Sequence, residues 1–74
     1  MKPKRKLRCG VIGLGWWGEQ MCNSISKSKL YEISIVFDSD TKRKKVVATK
    51  FSSKSANKIS EIFESDVDCV FIFT

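Results

Sequence analysis

The chain has 74 residues, 42% hydrophobic and 30% charged, and its 14 Lys and Arg outnumber 8 Asp and Glu for a net charge of +6. That length allows one small domain, which buries only about 60% of its unfolded surface, and the composition excludes a fibrous or wholly disordered chain. No apolar run approaches the roughly 18 residues of a membrane span, and with no histidine present the chain contains no Ser-His-Asp, Cys-His or histidine-zinc site.

Residues 1–6 (MKPKRK) read as a basic N-terminal tail. They precede an apolar stretch, but glycines interrupt that stretch, Glu19 closes it and no small-residue cleavage site follows, so no export signal is expected. Residues 7–12 (LRCGVI) are short, mostly apolar and end at a glycine turn, the pattern of a strand buried on both faces. A helix is expected over residues 16–26, because Trp17, Met21 and Ile25 recur at four-residue spacing as one apolar stripe that packs on the sheet.

Residues 31–37 (YEISIVF) alternate at first and then run continuously apolar, a second strand ending at Asp38. Asp40 or Thr41 can cap a helix over residues 42–51 whose apolar set is Val46, Val47, Ala48 and Phe51, although four consecutive cations in its first turns oppose the helix dipole. A very short strand is expected around residues 54–56. Asn57 then caps a short helix over residues 59–64, with Ile59, Ile62 and Phe63 facing inward. Residues 69–74 (CVFIFT) form a last, continuously apolar strand.

Strand-helix alternation of this kind specifies a parallel sheet with helices outside it, since parallel neighbours need right-handed crossovers. The expected fold is α/β, a partial doubly wound Rossmann sheet of four strands in the order 3-2-1-4 with about three helices. Cys9, Cys22 and Cys69 are odd in number, far apart and form no CxxC pair, which suits core thiols in a reducing compartment, and the cytoplasm is the expected location. The basic clusters at Lys2, Lys4, Arg5, Lys6 and Arg8 and at residues 42–45 lack interleaved aromatics or a recognition helix, so they read as solvated surface.

Residues 13–18 (GLGWWG) fit GxGxxG, a weak pattern alone that gains weight from its context: a strand before it, a helix after it, and a second strand ending in Asp38, 20 residues beyond Gly18. Gly13 permits the tight turn, Gly15 lacks the Cβ that would block a pyrophosphate, and Gly18 lets helix and strand approach. Free N–H groups and the positive dipole end of the helix then face the phosphates. Asp38 is placed to accept hydrogen bonds from an adenosine ribose and to repel a 2′-phosphate, which favours NAD, while Lys42 and Arg43 leave NADP disfavoured but not excluded. Trp16 and Trp17 occupy the unspecified positions of the motif and are expected to pack.

LRCGVIGLGWWGEQ, EISIVFDSD and SEIFESDVDCVFIFT together resemble the N-terminal dinucleotide-binding domain of the Gfo/Idh/MocA oxidoreductases, the family of glucose-fructose oxidoreductase and inositol 2-dehydrogenase. The resemblance covers residues 7–74. It implies hydride transfer between NAD(P) and a sugar, polyol or related compound. Gly13, Gly15 and Gly18 match the family's phosphate loop, the backbones of Leu14, Trp16 and Trp17 line it, Asp38 matches its ribose-binding acid, and Thr74 matches the end of the fourth strand beside the cofactor.

Two departures from the family are local: Met21 stands where many members have a histidine, and Ser52 replaces a glycine that often follows the second helix. The family's catalytic lysine, in a Glu-Lys-Pro segment, and its larger substrate domain have no counterpart here. The chain is therefore expected to be an N-terminal cofactor-binding portion, truncated at its carboxyl end, inactive alone, and with no catalytic residue or metal site of its own. Its expected partners are the dinucleotide and, in a full-length protein, a sugar-like substrate; a homo-oligomer is compatible with this, a membrane is not. The competing readings are a non-catalytic nucleotide-binding or sensing module and, less favoured, a small basic nucleic-acid-binding protein.

Overall fold

The two apolar runs at either end of the chain lie side by side. In the computed structural model, which describes residues 6–73, β1 (Leu7–Ile12) is flanked by β2 (Tyr31–Phe37) and by β4 (Cys69–Ile72), and β2 by the two-residue β3 (Lys54–Ser55). The sheet order is β3-β2-β1-β4 and every pairing is parallel, the expected 3-2-1-4 topology. The helices α1 (Trp16–Ser26), α2 (Thr41–Lys50) and α3 (Ile59–Glu64) are the crossovers. Most of the basic tail, and Thr74, lie outside the described residues.

The sheet separates two apolar layers. Cys9, Val11, Ile33 and Val36 face Cys22 and Ile25 of α1 and Val47 and Ala48 of α2, with Leu14 between them. Ile12 and Ile35 face Ala56 and Ile62 on the other side. Burying such a side chain contributes about 1.5–3 kcal/mol, and Leu14, Ile62, Val11 and Val36 are among the largest that are fully buried. The uneven alternation of YEISIVF has a structural cause: the pairing runs Cys9↔Ile33 and then Gly10↔Ile35, so Ser34 is an extra, bulged residue. The bulge sends Ile33 and Ile35 to opposite faces.

Several expected faces are corrected. The buried positions of α1 are Gly18, Cys22 and Ile25, and Trp17, expected in the packed stripe, is 58% exposed. Close approach of the loop to Gly18 turns that edge of the helix toward the sheet and rotates Trp17 out. Trp16 likewise does not pack, being 77% exposed. In α2 the buried set is Lys44, Val47 and Ala48, with Val46 exposed. The helix begins at Thr41 because Asp40 Oδ1 accepts from the Arg43 backbone N–H at 3.0 Å, satisfying one of the first-turn donors.

Lys44 departs from the solvated reading of residues 42–45. Its Nζ donates to the Ala56 carbonyl at 2.7 Å and lies 5.6 Å from the Phe37 ring centre. The charge is thereby accommodated against the end of the sheet. In α3 only Ile62 is buried, and Ile59 and Phe63 are exposed, since so short a helix meets the sheet along one line. Its N-terminus is closed by Glu61 Oε2, which accepts from the Asn57 and Lys58 backbone N–H groups at 3.0 Å each; the capping position is Lys58, not Asn57. β4, expected to be covered on both faces, is half-buried, because it is the sheet's edge among the described residues.

Candidate functional site

The carboxyl ends of β1, β2 and β4 meet at residues 13–18. Gly13 adopts φ +93°, a region that disfavours any side chain, and a Cβ there would overlap the Phe73 carbonyl oxygen. Gly13 N–H donates to the Phe37 carbonyl at 3.0 Å, and Phe73 N–H to that of Ile12 at 2.8 Å, so all three strand ends brace the turn. A Cβ on Gly18 would overlap the Gly13 carbonyl oxygen, which makes the helix-to-loop contact one of backbone on backbone. Around Gly15, in contrast, a Cβ would meet nothing within 4 Å.

Gly15 is also the cap of α1, and no side chain caps that end. The N–H groups of Trp16, Trp17 and Gly18 are the first of the helix and have no intrahelical acceptor. They present three donors and the positive end of the helix dipole to the space beside Gly15. Both indoles stand exposed next to it.

Asp38, directly after β2, is 8% exposed. Its Oδ2 accepts from the Leu14 N–H and its Oδ1 from the Asp40 N–H, each at 2.7 Å, and Arg43 Nη1 lies 3.7 Å from Oδ2. Burial alone would raise the carboxyl pKa; the two backbone donors and the Arg43 charge outweigh it and hold the group below its ordinary value. Asp38 is therefore an anion at neutral pH. Each carboxylate oxygen retains a second lone-pair direction, so acceptor capacity for a vicinal diol remains.

The eight positions named from sequence thus divide. Gly13, Gly15, Gly18, Trp16, Trp17 and Asp38 converge on one locality. Leu14 belongs to it differently than expected: its N–H is committed to Asp38 and its side chain is 1% exposed in the core, so it braces the loop to the acid. Thr74 lies outside the described residues. Of the two nearby cations, Arg43 reaches Asp38. The bracing of the loop by Phe73 was not foreseen, and only the glycine at position 13 hinted at a close neighbour. The Asp38-Asp40 contact had a sequence signal, an Asp bonding the backbone two residues on.

Chemically the described residues of the site offer anion donors and diol acceptors, and among them no proton-transfer group is suited to neutral pH. Among the described residues no cluster of three His, Cys, Asp or Glu could hold a metal ion, and no helix is long and apolar enough to cross a membrane.

A family model described as oxidoreductase family, NAD-binding Rossmann fold (GFO_IDH_MocA), matches residues 7–74. An uncharacterized oxidoreductase of Streptococcus pneumoniae serotype 4 is 30% identical over 69 residues, 92% of this chain and 18% of that protein. An oxidoreductase from Agrobacterium radiobacter, solved in complex with NAD+, L-tartaric acid and magnesium, is 25% identical with a TM-score of 0.85, over 93% of this chain and 21% of the other. UDP-N-acetylglucosamine 3-dehydrogenase GnnA from Acidithiobacillus ferrooxidans is 26% identical with a TM-score of 0.80, over 93% and 21%. The chain spans about a fifth of the length of these relatives.

Proposed function

This chain belongs to the GFO_IDH_MocA oxidoreductase family, whose NAD-binding Rossmann fold residues 7–74 match, and from that premise we propose that residues 13–18 and Asp38 bind NAD for a longer dehydrogenase. The observation that carries the reading is the uncapped start of α1, with open space beside Gly15 and an ionised Asp38 held next to the same loop. The N–H groups of Trp16, Trp17 and Gly18 hold the pyrophosphate, and Leu14 fixes Asp38, which accepts the adenosine ribose hydroxyls. When bound, NAD supplies the hydride chemistry.

The substrate is a sugar, polyol or related hydroxyl or carbonyl compound, a reading supported by family membership and by the sugar-nucleotide dehydrogenase among the similar structures. The group that moves the substrate proton comes from other parts of the longer protein, since the relatives are about five times the length of this chain. Three free cysteines support a reducing, cytoplasmic setting. NAD is preferred over NADP because the Asp38 carboxylate faces the 2′-position, with Arg43 as a partial counterweight.

Calorimetric titration of NAD and NADP into the full-length protein tests this. Wild type binds NAD more tightly. Asp38→Ala loses about tenfold or more in NAD affinity, the scale of hydrogen bonds to a charged acceptor, and improves NADP relative to NAD; Arg43→Ala added to it removes that improvement. Failure of both cofactors to bind rejects the proposal.

A further inference from the structure

β3 pairs only with Ile35 and Val36, so the amino half of β2 has no strand on its outer edge among the described residues. A cavity of about 370 Å³ opens there, lined by Arg8, Glu32, Ser34, Ser52, Ser53 and Lys54, with Ile33 its one apolar wall. Arg8 and Glu32 lie near the amino ends of β1 and β2, whereas the glycine loop and Asp38 follow the carboxyl ends of the same strands. The cavity is thus distant along the strands from the dinucleotide loop, and its size falls in the lower part of the roughly 300–1,000 Å³ range of small-molecule sites.

Its lining holds polar capacity that the fold leaves unused. Ser53 Oγ is buried with no hydrogen-bond partner, a state that costs stability and is rare in native structures. Ser34, the bulged residue of β2, turns out of the strand ladder here. Lys54 forms no ion pair among the described residues. Arg8, in contrast, is occupied: its Nη1 lies 2.6 Å from Asp66 Oδ2 and its Nε 4.0 Å from Glu32 Oε1.

We propose that this cavity binds a small hydroxylated carboxylate, an acid of the sugar-acid class, independently of the dinucleotide reading. Lys54 Nζ and the Ser53 hydroxyl donate to the ligand carboxylate, the Ser53 Oγ turning outward by a change of χ1 well. Glu32 accepts from the ligand's hydroxyl groups. A phosphate dianion is disfavoured because Arg8 is already shared between Asp66 and Glu32, which leaves Lys54 alone to face two negative charges, where a carboxylate brings one. A nucleobase is disfavoured by a wall with no aromatic ring.

Gluconate is the probe, titrated calorimetrically into the full-length protein with inorganic phosphate in a parallel arm. Gluconate is expected to bind at least about tenfold more tightly than phosphate, and equally with and without saturating NAD. Ser53→Ala and Lys54→Met each weaken gluconate by about fivefold or more, while Ser53→Ala melts no lower than wild type because it removes an orphaned hydroxyl. Glu32→Gln narrows the gap between gluconate and phosphate. Absence of gluconate binding, indifference to both variants, phosphate binding as tight as gluconate, or displacement of gluconate by NAD each overturns the proposal.

Discussion

Ser52 closes α2 with φ 54°, in the left-handed region, where a Cβ costs about 1–2 kcal/mol. It stays there because Ser52 N–H and Ser53 N–H then reach the Thr49 and Ala48 carbonyls, at 3.2 and 2.8 Å, and end the helix. Ser52→Gly removes the strain and returns part of it as unfolded-state entropy. It is expected to stabilise the chain by about 0.5–1 kcal/mol, read as a higher urea midpoint at unchanged m-value. A lower midpoint would mean the serine hydroxyl itself stabilises this turn. Gly13 presents the opposite case, because its φ of +93° is combined with the Phe73 carbonyl where a Cβ would stand. At this scale the sequence was informative about residue types: Gly13 and Gly18 stand where a Cβ would overlap backbone and Asp38 where a carboxylate takes two backbone N–H groups, whereas no neighbour within 4 Å requires a glycine at position 15. It placed Leu14 in the loop but not its brace to Asp38, since any residue supplies an N–H and nothing in a leucine announces where it points.

Elements were legible where an apolar run met a glycine or a turn, and their faces were not. Residues 16–26, 31–37 and 59–64 were bounded as observed, whereas Trp17, Val46, Ile59 and Phe63 were assigned to buried faces and are exposed. Periodicity identifies a stripe, but the rotation of a helix about its axis depends on close contacts such as Gly18 against Gly13, which have no apolar signal. The strand pair β1–β4 shows what element pairing does to chemistry. Cys9 and Cys69 face each other in register with their Sγ atoms 3.4 Å apart. Burial first, then the neighbouring Cys69, push the Cys9 thiol up to about 12, and burial pushes Cys22 up to about 11, from 9.0. Because these folded values lie above the unfolded one, the unfolded chain ionises first on raising pH. The thiols therefore contribute stability that is intact below pH 9 and is lost as the pH rises toward about 12. Urea midpoints should fall between pH 8.5 and pH 11, and Cys9→Ala should flatten that fall. Equal pH slopes in the two proteins would show that Cys9 is not the titrating group. At pH 8 the native Cys9 and Cys22 should react slowly with an aromatic disulfide reagent and rapidly in denaturant.

For the whole molecule, topology was the most legible property, because strand-helix alternation leaves few right-handed parallel arrangements and the glycine loop fixes where they turn. Domain stability was legible only as a limit. A chain this short buries a modest core, and β4 and α3 keep Ile72 and Phe63 each 59% exposed, so little margin separates folded from unfolded. Ligand linkage should therefore be conspicuous. Binding NAD to the folded state alone adds about 2.7 kcal/mol at a hundredfold excess over Kd. For a domain of this length each kcal/mol is worth about 4–8 °C in Tm, so saturating NAD is expected to raise the melting temperature of the 74-residue chain by about 10–20 °C. The shift should grow with the logarithm of NAD concentration, as mass action requires, and shrink in Asp38→Ala, which loses the brace from Leu14 and the proposed ribose contact. AMP, carrying the ribose and one phosphate but not the bridging pyrophosphate, should give a smaller shift at equal concentration, separating the contribution of Asp38 from that of the α1 N-terminus. A melting temperature that NAD leaves unmoved at millimolar concentration would show that residues 13–18 do not hold the dinucleotide in this chain.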